Sequence, residues 1–232
     1  SKMFCTEAGW RVVDEAFQIR GGRGFETSPS LKARGEKGFA IERVFRDVRV
    51  NLIIEGTSQI MRLFIAREAL DPHLKRLQKG PVSLLYYLGW YPKLWLPSFT
   101  SGSIASLPKP LNKHMMYVQR TSKRLARNMF LKMAIHQQGL ESKQNTLSRF
   151  VDIGTYLFVM SAACSYAAAL AGKKKDVESA SPIELADLFC QEAMVRIARY
   201  FQDVTRNSDR LSSSTAKKIL EGQYEWLEKG II

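Results

Sequence analysis

Apolar residues recur through most of this chain at the 3.6-residue period of an amphipathic helix, and no segment alternates convincingly as a half-buried strand would. Phe4, Ala8, Val12, Ala16 and Ile19, with Glu15 on the same stripe, predict a helix over residues 2–20. Gly21-Gly22-Arg23-Gly24 closes it, because glycine accepts the left-handed backbone of a helix C-terminus. Residues 26–38 are polar and carry Pro and Gly, which predicts an exposed loop. Ile41, Val44, Phe45, Val48 and Leu52 then predict a short helix over about 40–53 with those residues inward. Another runs from Thr57 to Leu70, ended by Asp71-Pro72 because proline removes a backbone donor.

The second half continues the pattern. Met115, Val118, Ser122, Leu125, Met129, Met133 and Ile135 line one side of a helix over about 111–138. After Gly139, Leu147, Phe150, Val151, Gly154, Leu157, Phe158, Ala162 and Cys164 give a wide buried face on a helix over about 140–170. Ser181-Pro182 with Glu184 opens the next. It runs to about Arg206 with Ile183, Leu185, Leu188, Phe189, Ala193, Ile197 and Phe201 inward. A last helix is predicted over about 214–229, a Ser/Pro/Gly linker over 98–110 and a loop over 173–181. The fold class is therefore all-α, a bundle of antiparallel helices with short connections. Three parts are expected: 1–72, a basic and aromatic connecting segment 73–110, and an appended helical domain 111–232.

Charge changes this picture in one place. The 35 lysines and arginines against 22 acids leave a formal net charge of +13. Between residues 71 and 136 eleven basic residues face the single acid Asp71. Such a balance suits an anionic partner: phospholipid, nucleic acid or a polyphosphate ligand. Inside the basic stretch, residues 82–99 are rich in Tyr, Trp and Leu. Gly89, Pro92, Lys93 and Pro97 interrupt them too often for a membrane span. Aromatics beside basic residues suit a membrane interface; packing in a core or dimer contact is the alternative. Basic residues without a recognised motif do not make a nucleic-acid site. Cys5, Cys164 and Cys190 form no C-x-x-C pair and read as reduced, buried thiols. The three histidines have no ligand spacing, so no metal is expected.

The most informative run is Asn51-Leu52-Ile53-Ile54-Glu55-Gly56-Thr57-Ser58-Gln59-Ile60. A carboxylate follows apolar residues and stands before Gly-Thr at a helix entrance. Burial there would disfavour its charged form and fit it to take a proton from a weakly acidic carbon. A plain N-terminal charge favoured by the helix macrodipole is the other reading. Likewise Gly21-Gly22-Arg23-Gly24 is either a simple cap or a place where a pyrophosphate can approach backbone. The glycines follow a helix and lack the G-x-G-x-x-G spacing, so they are not a Rossmann fingerprint.

Glu55-Gly56-Thr57-Ser58-Gln59-Ile60, about thirty residues after Gln18-Ile19-Arg20-Gly21-Gly22-Arg23-Gly24-Phe25 and with Arg46-Asp47 between, closely resembles the C-terminal region of the acyl-CoA dehydrogenases. The resemblance is specific over residues 1 to about 70. Beyond them it is looser and similar to the extra helical domain of the very-long-chain type. It implies FAD as cofactor and acyl-CoA as substrate. Glu55 would be the base that removes the α-proton, with Gly56 beside the substrate. Thr57 and Gln59 would hydrogen-bond FAD, while Gln18, Gly21 and Gly22 would touch the FAD of a neighbouring subunit. Arg46, Asp47 and Arg49 read as structural ion partners. The connection 26–38 is longer than in common family members, which bears on the subunit contact.

The resemblance further implies a C-terminal portion of a longer enzyme, inactive by itself, whose other domains shape the acyl pocket. The opening residues already read as the inside of a helix, with no signal-peptide pattern. A homodimer, an electron-transfer acceptor and peripheral membrane contact through 82–99 are implied partners. A cytoplasmic or mitochondrial setting, peripheral to an inner membrane, would suit them. A non-catalytic scaffold relative and a basic helical module for lipid or nucleic acid are the other readings.

Overall fold

The computed structural model describes residues 1–77, 80–96, 106–173 and 180–230, and among them there is no strand. The expected linker over 98–110 and loop over 173–181 fall mostly outside the described residues. The chain divides into two compact units, residues 1–83 and 84–232.

In the first unit α1 (Lys2–Arg20) packs against α3 (Ile41–Val50) and the start of α4 (Ser58–Leu77). Aromatic rings make the contact: Trp10 lies 4.5 Å and Phe17 5.0 Å from Phe45, and Phe25 meets Phe17 edge-on at 4.6 Å. Such pairs add about 0.5–1.5 kcal/mol each beyond the area they bury. Arg49 stacks over Trp10, Arg46 pairs with Glu42 and Asp47 with Arg43, as ion and ring partners within the unit. The turn after α1 is a 3-10 segment, Gly21–Gly24.

Several local expectations are corrected here. Residues 26–38 are not all exposed loop: α2 (Ser28–Ala33) forms within them and Leu31 is fully buried. The Thr27 hydroxyl accepts from the Ser30 N–H and Pro29 occupies the first turn, a start signal that the polar composition hid. No residue of α3 is fully buried, and Val44 is exposed. Asp71-Pro72 does not end α4, which runs on to Leu77 with Pro72 inside it. Proline removes one helix hydrogen bond without forbidding continuation, and the Asp71–Lys75 ion pair spans that turn. On α1, Val12 and Ile19 (84% accessible) are exposed.

In the second unit α5 (Pro81–Lys93), which starts three residues before it, precedes three long helices: α6 (Lys109–His136), α7 (Gln144–Lys173) and α8 (Ala180–Thr205). Cys164 faces Cys190 and Tyr156 faces Tyr200, so α7 and α8 run antiparallel. His114 meets Asp187 and Arg124 lies over Phe201, so α6 runs parallel to α8. The bundle is thus up–down–up around Leu111, Ile153, Met160 and Ile197, all fully buried. By length and composition α7 could also cross a membrane, with mean hydropathy 1.5; here it is the central helix of the three. Tyr87 and Tyr91 of α5 pack on Phe130 of α6 at 5.1 and 4.9 Å.

The buried faces differ from the periodicity in register. Ile135, Phe158, Ala162, Leu185 and Leu188 are exposed, whereas His114, Thr121, Ile153, Met160 and Ala186 are buried. His114 Nε2 and Asp187 Oδ1 are 2.5 Å apart, and that hydrogen bond holds the Asp187 carboxyl below the usual carboxylate range. Cys5 is exposed, and the buried Cys164 and Cys190 sulfurs lie 3.7 Å apart across α7 and α8. The final helix, α9 (Asp209–Leu220), is earlier and shorter than 214–229. Gly222 at φ +76° follows it, and the Gly222 and Gln223 N–H groups donate back to Ile219 and Lys218, the wrapping that stops a helix.

Candidate active site

The turn between α3 and α4 is pinned by bonds that its own sequence supplies and by one from far away. The Ile53 and Ile54 N–H groups both donate to Val50 O, at 2.9 and 3.0 Å. Glu55 then stands at φ +55° and Gly56 at φ +96°. The first is a left-handed conformation that a Cβ-bearing residue enters at a cost of about 1–2 kcal/mol. At Gly56 a side chain would also meet Met61, its Cβ 3.1 Å from Sδ. Thr57 caps α4, its hydroxyl accepting from the Ile60 N–H at 3.3 Å and its carbonyl from Met61 N–H at 2.9 Å. Ser58 is buried beneath the turn, while Gln59 and Glu55 are exposed.

Exposure corrects the expectation for Glu55. The three apolar residues before it do not bury it: Ile53 and Ile54 are themselves exposed, and Glu55 and Gly56 after them take positive φ. Among the described residues of 1–83 nothing buries this carboxylate.

Two contacts across sequence hold the turn against α1. Lys2 Nζ donates to Ile54 O at 3.0 Å and Gly56 O at 2.6 Å, the carbonyls on either side of Glu55. Glu7 and Arg62, half-buried, form an ion pair at 2.9 Å that fastens α1 to the second turn of α4. The sequence reading missed all three residues. Their partners lie more than fifty positions away, and one sequence carries no signal for such a pairing.

The glycine turn sits elsewhere. Lys2 is at one end of α1 and Gln18 sixteen residues on, so at 1.5 Å per residue the two places are about 24 Å apart along a single helix. Gln18 is exposed and its carbonyl accepts from the Gly21 N–H. A Cβ built on Gly21 or Gly22 meets nothing within 4 Å, so that backbone lies open to approach, and Gly21 takes φ +57°. Gly24 is different: its Cβ would fall 2.9 Å from Phe17 O, so it serves the packing of the turn on α1. Thus the structure groups Glu55, Gly56, Thr57 and Gln59 at one end of α1 and Gln18, Gly21 and Gly22 at the other.

Residues 1–70, which include both groups, match the family model described as acyl-CoA dehydrogenase, C-terminal domain. The whole chain is 42% identical to the probable acyl-CoA dehydrogenase FadE10 of Mycobacterium tuberculosis, of which it spans 38%. The chain belongs to the acyl-CoA dehydrogenase family. Over 85% of its length it is 30% identical to the human mitochondrial very long-chain specific acyl-CoA dehydrogenase, covering 30% of that protein. An acyl-CoA dehydrogenase from Bacillus anthracis, crystallised with FAD, shares the fold with a TM-score of 0.64 at 23% identity, over 93% of this chain and 34% of its own. The resemblance read from the two motifs is therefore met, as is the all-α class. The chain spans about a third of the length of these family relatives, from 30% to 38%.

Proposed function

We propose that this chain is the C-terminal portion of an FAD-dependent acyl-CoA dehydrogenase that oxidises long or very long fatty acyl-CoA at Cα–Cβ to the trans-2-enoyl-CoA. The reading rests on one observation above others: a carboxylate on a left-handed, doubly pinned turn at the mouth of a twenty-residue helix, within the part matched by the family model. Glu55 would take the α-proton on its carboxylate, and bound FAD would accept the hydride from Cβ. A carboxylate that must take a proton from carbon works best dry. The exposed Glu55 therefore needs the other domains to exclude water from it, and the isolated chain would be inactive. The exposed apolar residues around it (Ile53, Ile54, Ile60 and Phe64) are suited to being covered by them.

The residues present fit the cofactor. Thr57 can still donate its hydroxyl proton while it caps α4, and Gln59 is exposed in the first helical turn, where backbone and dipole favour anionic groups. Gly56, next to Glu55, would present its backbone to the thioester, since the space of its missing side chain is filled by Met61. At the far end of α1, Gln18, Gly21 and Gly22 present open backbone that suits a pyrophosphate. Their distance of about 24 Å from the Glu55 turn, by helix rise, favours their serving the FAD of a second subunit, hence a homodimer. An electron-transfer acceptor would then reoxidise the cofactor. In the full-length protein, Glu55→Gln should abolish dehydrogenation of acyl-CoA while FAD stays bound. Retained turnover sinks the assignment of the base.

Membrane contact is a second reading with its own support. Tyr87 and Tyr91 turn α5 onto α6, which leaves Leu85 (71% accessible) and Leu88 (63%) outward, and Trp95 and Leu96 are exposed next to Arg127 and Lys123. Apolar side chains edged by cations fit the headgroup region of an anionic bilayer. A peripheral position at an inner membrane would bring the enzyme to long acyl substrates. Residues 97–99 of the aromatic segment lie outside the described residues.

A further inference from the structure

Glu55 keeps an unfavourable backbone conformation, so something must hold it there. The bonds from Val50 and the Thr57 cap are local; they fix the ends of the turn and leave its middle. The middle is crossed by the ammonium of Lys2, which takes the carbonyl before Glu55 (Ile54 O, 3.0 Å) and the carbonyl after it (Gly56 O, 2.6 Å). One ammonium reaches both because the two peptide oxygens converge on it, in a turn whose residues Glu55 and Gly56 stand at φ +55° and +96°. Lysine suits this role because it carries three donors on one compact charge, at the end of a stem long enough to cross from α1. The reach of that stem is itself set by the Glu7–Arg62 ion pair, which locks α1 to α4 beside the turn.

We propose that Lys2 is a positioning residue for Glu55, an ammonium buckle that presents the carboxylate in one place. The proposal rests on the reading of Glu55 as the base. Lys2 touches neither the carboxylate nor any reacting atom in this arrangement; it acts through the peptide groups on which Glu55 is mounted. Proton abstraction depends steeply on where the base sits, so a looser turn costs turnover far more than it costs substrate binding.

The test uses the full-length, FAD-loaded protein with palmitoyl-CoA and compares Lys2→Met, Lys2→Arg and Glu55→Gln with the parent. Lys2→Met keeps the stem and removes the donors; Lys2→Gln takes its place if that variant does not accumulate. The expected result is a kcat lower by roughly 10- to 100-fold with KM changed less than about threefold. Amide exchange should accelerate across residues 51–57 and stay unchanged in the middle of α1. Lys2→Arg, which can span the same two carbonyls, should recover most of the kcat. An unchanged kcat in Lys2→Met beside an inactive Glu55→Gln overturns the buckle and leaves the base intact. A fall in kcat with faster exchange throughout α1 and α4, and no recovery by arginine, reduces Lys2 to a structural residue. Turnover in Glu55→Gln overturns the base reading itself, and the exchange data then still report whether Lys2 holds the turn.

Discussion

Helix α9 is attached to the bundle by charge more than by packing, and one carboxylate carries the attachment. None of its residues is buried, and Leu220 is 87% accessible. Asp209, at its first position, receives Arg149 Nη1 at 2.6 Å and Nη2 at 2.8 Å from α7, and Asn145 Nδ2 at 3.2 Å. The arginine contact holds the Asp209 carboxyl below the usual carboxylate range. A planar, bidentate pair of this kind outweighs an ordinary surface bridge, yet both partners are partly wet. Discounted for that, it is worth about 1–2 kcal/mol, and the carboxylate at a helix N-terminus adds a few tenths. Asp209→Asn in the full-length protein should therefore lower amide-exchange protection in α9 by roughly 5- to 30-fold at neutral pH. Protection in α7 and α8 should be untouched, since Ile153, Met160 and Ile197 hold those helices. The folded carboxyl titrates below its unfolded value of about 3.9, so the tether is complete above that pH and fades as pH falls through the depressed folded value. The parent should lose α9 protection on that acid limb, whereas Asp209→Asn should already lack it at neutrality. Equal protection of α9 in both proteins at neutral pH, or a loss spread evenly over the bundle, would refute the reasoning.

Gly24→Ala should destabilise the protein by about 1–3 kcal/mol, because its Cβ would stand 2.9 Å from a backbone oxygen that cannot swing aside, whereas Gly22→Ala meets nothing within 4 Å. Thermal unfolding of the pair checks this, and equal melting temperatures would contradict it. Replacing Leu85 and Leu88 together by Asp should abolish co-sedimentation of the full-length protein with vesicles containing anionic phosphatidylglycerol; equal pelleting of parent and variant would end the membrane reading.

Helix existence was legible because burying one stripe imposes a 3.6-residue period, and α1, α3, α6, α7 and α8 all answer to it. Which stripe is buried was less legible. Phe158 and Leu188 belong to runs so apolar that several faces look equally suitable, and the neighbours decide: α7 and α8 meet along Ile153, Met160, Cys164, Cys190 and Ile197. On α6 the pattern failed for a different reason. Its seam includes His114, whose burial is bearable because Asp187 of α8 supplies a partner 73 positions away. Ends depended on single residues with two possible meanings. Pro72 can stop a helix or sit inside it, and here the helix continues; Gly222 could have been passed through, and here it stops one.

The site divides along the same line. The place of the carboxylate was legible, since Glu55 before Gly56-Thr57 reads as a helix entrance and α4 does begin there, at Ser58. The burial inferred for Glu55 was not, because it was drawn from Leu52, Ile53 and Ile54 as if apolar neighbours in sequence must be neighbours in a core. A residue at φ +55° breaks that inference, since its side chain leaves the direction that helix or strand would give it. In the same turn Ile53 and Ile54 are exposed and the two flanking carbonyls accept from Lys2. On the proposed reading a wet carboxylate on a pinned turn suits a divided site: this chain would fix where the base stands, and the remaining domains, by closing over Ile53, Ile54, Ile60 and Phe64, would determine when it is dry.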